Sequence, residues 1–224
     1  MFCMKPVLFF EVDGTLVDTK TGNVPLSTQT VLKRLQKEGY KICLATGRTF
    51  ENLTHNIVYT MFDWDGYICG NGVEVINGNK DVLQRKHFSP KTVKHVMDVA
   101  KNNGHQVMLI HDDGWNMTEQ PNENALIALE FLHEPVPPIK PYTDQKILMM
   151  LAFADKGHDY REYNEIPEIR SFPSYITYAD LVLSFASKAH GMDVYMNHVG
   201  ATESVAFGDS LNDYEMLQHA TVSL

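Results

Sequence analysis

Two apolar runs near opposite ends of the chain, Pro6-Val7-Leu8-Phe9-Phe10 and Ser204-Val205-Ala206-Phe207, each give way at once to acidic residues. The first leads into Glu11-Val12-Asp13-Gly14-Thr15 and the second into Gly208-Asp209-Ser210-Leu211-Asn212-Asp213. Apolar runs this short and unbroken read as strands covered on both faces, the condition met in parallel sheets flanked by helices. In such sheets ligands bind beyond the carboxyl ends of the strands. Carboxylates brought together there repel one another unless a hard cation lies between them, and magnesium with a phosphate ester is the usual partner.

The stretch between these ends alternates in the same manner for its first eighty residues. A strand at Val7 to Glu11 precedes a helix from the N-cap candidate Ser27 to Glu38, which Gly39 stops. A second strand, Lys41 to Ala45, runs into Thr46-Gly47-Arg48 and one helix from Thr49 to Tyr59. Tyr67 to Cys69 and Val73 to Val75 follow as short strands around Gly70-Asn71-Gly72.

The rhythm then changes. Helices are expected at Pro90 to Asn103, Glu123 to Leu132 and Asp159 to Asn164. Strands are expected at Gln106 to Ile110, Trp115 to Thr118, Lys146 to Phe153, Ile169 to Phe172 and Tyr175 to Leu183, with a proline-rich connector, Pro135 to Pro141. The α/β pattern resumes with a helix from Lys188, the Ser204 to Phe207 strand, a helix from Asp213 to His219 and a last strand, Thr221 to Ser223. The fold class expected is α/β: a Rossmann-like parallel-sheet core, residues 1–78 and 185–224, carrying an inserted α+β cap, residues 79–184.

Composition narrows the function. A chain of 224 residues that is 44% hydrophobic can bury a sizeable core. A net charge of −9 argues against a nucleic-acid or anionic-membrane surface and suits an acidic enzyme of small metabolites. Cys3, Cys43 and Cys69 show no CxxC spacing, and the latter two sit in apolar runs, so they read as reduced thiols in a cytoplasmic protein. The longest apolar run, Ile147 to Ala154, is too short to span a bilayer, and residues 1–5 do not form a signal peptide.

Phosphoryl transfer needs a nucleophile, a cation, donors to the phosphate oxygens and an acid for the leaving group. Glu11 offers a carboxylate nucleophile that would form an acyl phosphate, and Asp13 a general acid that later activates water. Asp209, and Asp213 beside it, would complete the magnesium shell with Glu11 and Asp13. Thr46 and the Gly47 amide lie at a strand end that leads into a helix, a place suited to phosphate, and Lys188 adds positive charge with Asn212 nearby in sequence to Asp213. Asn71 is a turn residue that could also line the site.

The ordered set of these motifs resembles the haloacid dehalogenase-like hydrolases. An Asp-x-Asp-Gly-Thr-like start, a strand ending in Thr46-Gly47-Arg48, a lysine in Ser187-Lys188-Ala189-His190-Gly191 and the Gly208 to Asp213 run follow that family's order. Asn71-Gly72, Met216-Leu217 and the large insertion are similar to its Cof-type branch with a C2 cap, largely phosphatases of sugar phosphates and related metabolites. The resemblance implies Glu11 as nucleophile and Asp13 as acid/base. It places Thr46 and Lys188 on the phosphate, and Glu11, the Asp13 carbonyl and Asp209 on magnesium. Two departures stand out. The family's nucleophile is aspartate, and glutamate carries the carboxylate roughly 1.5 Å further out. Family members also usually continue beyond the point matched by Leu224.

Three readings follow. One is a magnesium-dependent phosphatase of a small phosphorylated metabolite, impaired to some degree by Glu11, and a second is a disabled phosphate- and magnesium-binding protein. The third is remote: Phe207-Gly208-Asp209-Ser210-Leu211 resembles the serine block of GDSL esterases, but only fourteen residues follow Ser210, and His219 lacks the aspartate that family needs. The ten histidines show no zinc-binding spacing. In the cap, His105, Asp112, Asp113, Tyr142 and Arg161 are candidates for substrate contact.

Overall fold

The computed structural model describes residues 5–18 and 21–224; Cys3 lies outside them. The chain divides into two compact units. One runs up to Arg85 and resumes at Ala186, and the other comprises Lys86 to Phe185. The sequence-derived boundary after residue 78 falls between two paired strands, so Val82–Arg85 stays with the first unit.

The first unit is built on a seven-stranded sheet of β1 (Val7–Phe10), β2 (Lys41–Ala45), β3 (Gly66–Cys69), β4 (Glu74–Asn77), β5 (Val82–Arg85), β11 (Ser204–Phe207) and β12 (Val222–Ser223). Their order is β12-β11-β1-β2-β3-β4-β5, parallel from β12 to β3 and antiparallel through β4 and β5. The strand that opens the chain therefore lies between β11 and β2. Alternate side chains of its strands enter two cores. Leu8, Phe10, Ile42 and Leu44 pack with Leu32 and Leu53 on one face, and Val7, Phe9, Cys43 and Ala45 with Met192, Tyr195 and Met216 on the other. Both faces are apolar because both are covered, the pattern that marked the runs as parallel strands.

The helices of this unit are α1 (Leu26–Lys37), α2 (Phe50–Thr54), α3 (Ile57–Thr60), α7 (Lys188–Val199) and α8 (Tyr214–His219). Three expectations need correction. Pro25, not Ser27, precedes α1; its φ of −56° with ψ of 142° is the extended backbone of a residue just outside the helix, and no side chain caps that end. The single helix expected from Thr49 to Tyr59 is two short ones, since the Asn56 side chain caps a fresh start by accepting from the Val58 amide. The last helix begins as a 3₁₀ turn, Leu211–Asp213, before α8.

The second unit holds the five-stranded antiparallel sheet β7-β6-β8-β10-β9, made of β6 (Gln106–His111), β7 (Gly114–Met117), β8 (Met149–Phe153), β9 (Ile169–Pro173) and β10 (Tyr178–Leu183). Its helices are α4 (Pro90–Asn103), α5 (Glu123–Leu132) and α6 (Arg161–Asn164). Ser89 caps α4 at one end and Gly104, at φ 73°, closes it at the other. Among the described residues no helix is long and apolar enough to cross a membrane.

Candidate active site

β1, β2 and β11 are neighbours, so the residues that follow them gather at one edge of the sheet. Glu11 is buried. Its amide donates to the Phe207 carbonyl at 2.9 Å, tying the start of one acidic loop to the end of the other's strand. Its Oε1 accepts from the Val12 amide at 2.8 Å and the Asp13 amide at 3.3 Å, and its Oε2 is ion-paired with the Lys188 ammonium.

Lys188 opens α7, follows the N-cap Ser187 and is fully buried. Its Nζ also donates to Asp213 Oδ1 at 2.5 Å. Burial draws this lysine below its ordinary value while Asp213 pulls the other way. One ammonium thus serves two buried carboxylates. The second Asp213 oxygen accepts from the amides of Asp209, at 3.2 Å, and Ser210, at 2.9 Å. One oxygen of Asp213 is therefore bonded to α7 and the other within its own loop. In the fold it holds Lys188 and shapes the Gly208–Asp213 turn, and a lone pair on each oxygen beyond these bonds keeps it among the oxygen groups near Asp209.

Asp209 is exposed and accepts from the Thr15 hydroxyl at 2.8 Å, which joins the two motifs that the chain separates most widely. Gly14 makes that approach possible. It sits at φ 90°, and a Cβ there would overlap the Asp209 carboxylate. Asp13 is exposed and held by a two-pronged contact from Arg48, Nε to Oδ2 at 2.8 Å and Nη2 to Oδ1 at 3.1 Å. In the sequence Arg48 stands out only as the end of the Thr46-Gly47-Arg48 motif. Its position two residues past Thr46, beside β1, was the available signal.

Thr46 is buried, and its hydroxyl accepts from the Arg48 amide at 3.2 Å while its carbonyl accepts from the Asn71 amide at 3.1 Å. Gly47 lies between them in the same loop. Asn71 is fully buried in a left-handed conformation, φ 53°, and its side-chain oxygen accepts from Asn212 Nδ2 at 3.0 Å. Every sequence-derived candidate in the first unit thus falls in this loop cluster. For the remote serine-esterase reading, the His219 ring is hydrogen-bonded to Asp193 at 2.6 Å, while the hydrogen bonds of Ser210 run to Asp213 within its own turn.

The donor set has a definite chemistry. Glu11, Asp13, Asp209 and Asp213 face two cationic side chains, Lys188 and Arg48, so the cluster is formally negative, and the uncharged groups beside them that can ligate a cation, the Thr15 and Thr46 hydroxyls and the loop carbonyls, do so through oxygen. Hard, oxygen-preferring divalent cations fit such a set, whereas thiolate- or imidazole-seeking ions do not.

In the second unit, Asp112 and Asp113 line a cavity of about 500 Å³ together with His111, Asn116, Lys140 and Lys146. Tyr142, His105 and Arg161 are not among its lining residues, and Arg161 is paired with Asp159. His105 and His158 converge on Glu162 in this unit. His158 lies fifty-three positions after His105, which hides the set from spacing arguments.

The family profile for haloacid dehalogenase-like hydrolases matches residues 8–224. YkrA of Bacillus subtilis (strain 168), provisionally named a phosphatase, is 24% identical over 217 residues, 95% of this chain and 82% of that one. A Streptococcus pyogenes protein provisionally named a bifunctional phosphatase and peptidyl-prolyl cis-trans isomerase is 26% identical over 97% of this chain, which spans 47% of its length. The solved structure of the HAD subclass IIB sugar phosphatase BT4131 aligns with a TM-score of 0.83 at 28% identity, covering 98% of this chain and 86% of that one.

Proposed function

Because this chain belongs to the haloacid dehalogenase-like hydrolases, we propose that it is a magnesium-dependent phosphatase of small phosphorylated metabolites, of the sugar-phosphate type. The observation that carries the reading is the convergence of Glu11, Lys188 and Asp213 beside Asp209 and Asp13 at the ends of β1 and β11. The sugar-phosphatase name of one similar structure supports the substrate class.

Glu11 is the nucleophile in this reading. The Val12 and Asp13 amides fix one oxygen and thereby aim the other. Lys188 is the cation that faces the transferring phosphoryl group, already desolvated and held in place by Asp213. The Thr46 hydroxyl and Gly47 amide supply donors to the phosphate oxygens. Asp13 passes a proton to the leaving oxygen and takes one from the attacking water, which requires Arg48 to release its hold on both Asp13 oxygens. Magnesium, held by Glu11, Asp209 and the Asp13 carbonyl, would neutralise charge on the phosphate. The buried thiols Cys43 and Cys69 suit a reducing, cytoplasmic setting.

One observation favours a second reading, a phosphate- and magnesium-binding protein without turnover. The longer Glu11 side chain carries its free oxygen into the Lys188 ammonium, which spends the nucleophile on an internal ion pair. Phosphate release from a panel of sugar phosphates, with magnesium and with a chelator, separates the two. Magnesium-dependent release supports the phosphatase. Magnesium-dependent binding of the same esters without release supports the disabled form and refutes the first reading.

A further inference from the structure

We infer that His105, His158 and Glu162 form a second metal site in the 86–185 unit, one that takes a zinc-class divalent cation. The three residues come from two pieces of chain, with His158 and Glu162 four residues apart on one of them. His105 follows the α4 C-cap and leads into β6, His158 lies in the turn that precedes α6, and Glu162 is in the first turn of α6. One carboxylate oxygen, Glu162 Oε1, sits 2.9 Å from His158 Nε2 and 3.3 Å from His105 Nδ1, and all three ligand atoms lie within 4.8 Å of one another. A tetrahedral zinc with bonds of about 2.0–2.1 Å places its ligand atoms roughly 3.3 Å apart. The set is therefore already near the spacing that such an ion imposes.

The surroundings match the same chemistry. The two imidazoles meet edge to face, with ring centroids 4.7 Å apart, so their nitrogens converge without the rings stacking. The Tyr163 hydroxyl lies 3.1 Å from His105 Nδ1, the nitrogen that would ligate the ion, so it is placed as an additional oxygen ligand once that nitrogen turns to the metal. His105 and Glu162 are mostly buried, while the His158 side chain keeps 34% of its surface, which leaves a path for the ion and for one water as fourth ligand. Two imidazoles with one carboxylate favour zinc-class ions over magnesium, which prefers oxygen alone. The bound ion would staple α6 and its preceding turn to the start of β6. This site shares no residue with the phosphatase cluster, so either assignment can fail without the other.

The test is calorimetric titration of zinc into the full chain with magnesium in large excess, so that the oxygen-only cluster is filled. The wild-type chain is compared with His158→Gln and Glu162→Gln. One zinc per chain is expected, weakened in each variant by more than the roughly 10–100-fold that loss of an outer hydrogen bond costs. Variants that bind as tightly as wild type, or no zinc uptake by the wild type, overturn the assignment. X-ray absorption on the zinc-loaded wild type decides the matter even if a variant fails to fold. Scattering from two imidazoles supports the site, and an oxygen-only shell refutes it.

Discussion

Replacing Glu11 by aspartate withdraws the carboxylate by one carbon–carbon bond, about 1.5 Å. With glutamate, Oε1 is fixed by two amides and Oε2 is committed to the Lys188 ammonium. Lys188 cannot retreat, because it is fully buried and tied to Asp213 at 2.5 Å. The shorter side chain should open the space between carboxylate and ammonium that a phosphoryl group must occupy. A misplacement of about 1 Å at a reacting group costs on the order of 100-fold in rate, which corresponds to about 2.7 kcal/mol of barrier. Glu11→Asp is therefore expected to raise kcat about 100-fold. KM should move little, because Thr46, Gly47 and Lys188 stay where they are. The assay is continuous phosphate release from p-nitrophenyl phosphate and a set of sugar phosphates, with magnesium, for the wild type, Glu11→Asp and Glu11→Gln. A folded Glu11→Asp protein no faster than wild type would refute the argument that side-chain length limits turnover. Activity retained by Glu11→Gln would remove Glu11 from the nucleophile role altogether.

Lys188→Met should abolish phosphate release and lower stability by about 3–5 kcal/mol, since it leaves Glu11 and Asp213 buried without their shared cation; urea denaturation measures the loss, and a change under 1 kcal/mol would count against the ion pairs. Gly14→Ala should weaken magnesium binding and cost about 1–3 kcal/mol, because φ 90° is strained for alanine and the new Cβ displaces the Asp209 carboxylate; unchanged magnesium affinity would detach Asp209 from the metal. Burial raises the Cys43 and Cys69 thiols well above the ordinary cysteine value, so neither should be alkylated by iodoacetamide in the folded protein as pH rises from 7 to 9. The unfolded chain would ionise these thiols first, so folding stability should fall above about pH 9 by up to roughly 1.4 kcal/mol per thiol per pH unit; modification of either thiol at pH 8 without unfolding would contradict their burial.

What the sequence made legible was local. β2, α4, α5 and β11 begin and end where periodicity and caps put them, because Ser89, Asn122 and Gly104 act on their immediate neighbours. β5 was missed for the opposite reason. Val82–Arg85 is an edge strand, half-exposed, and shows no buried run, so only its pairing with β4 makes it a strand. The same division runs through the active site. The motifs that follow β1, β2 and β11 announce that carboxylates converge, since the order of strands in a doubly wound sheet brings those ends together. Which charge meets which is a matter of side-chain reach across 25 to 35 residues of chain or more, as in Lys188 with Asp213 or Arg48 with Asp13. Asp213 shows the consequence. From sequence it is one more acid available to magnesium, and the fold adds what sequence does not show: one oxygen restrains Lys188 and the other closes a turn. Its charge is spent on holding the cation that in turn holds Glu11. The reactivity of the first acidic motif is therefore set by the last residue of the second, and a single methylene at Glu11 can alter it.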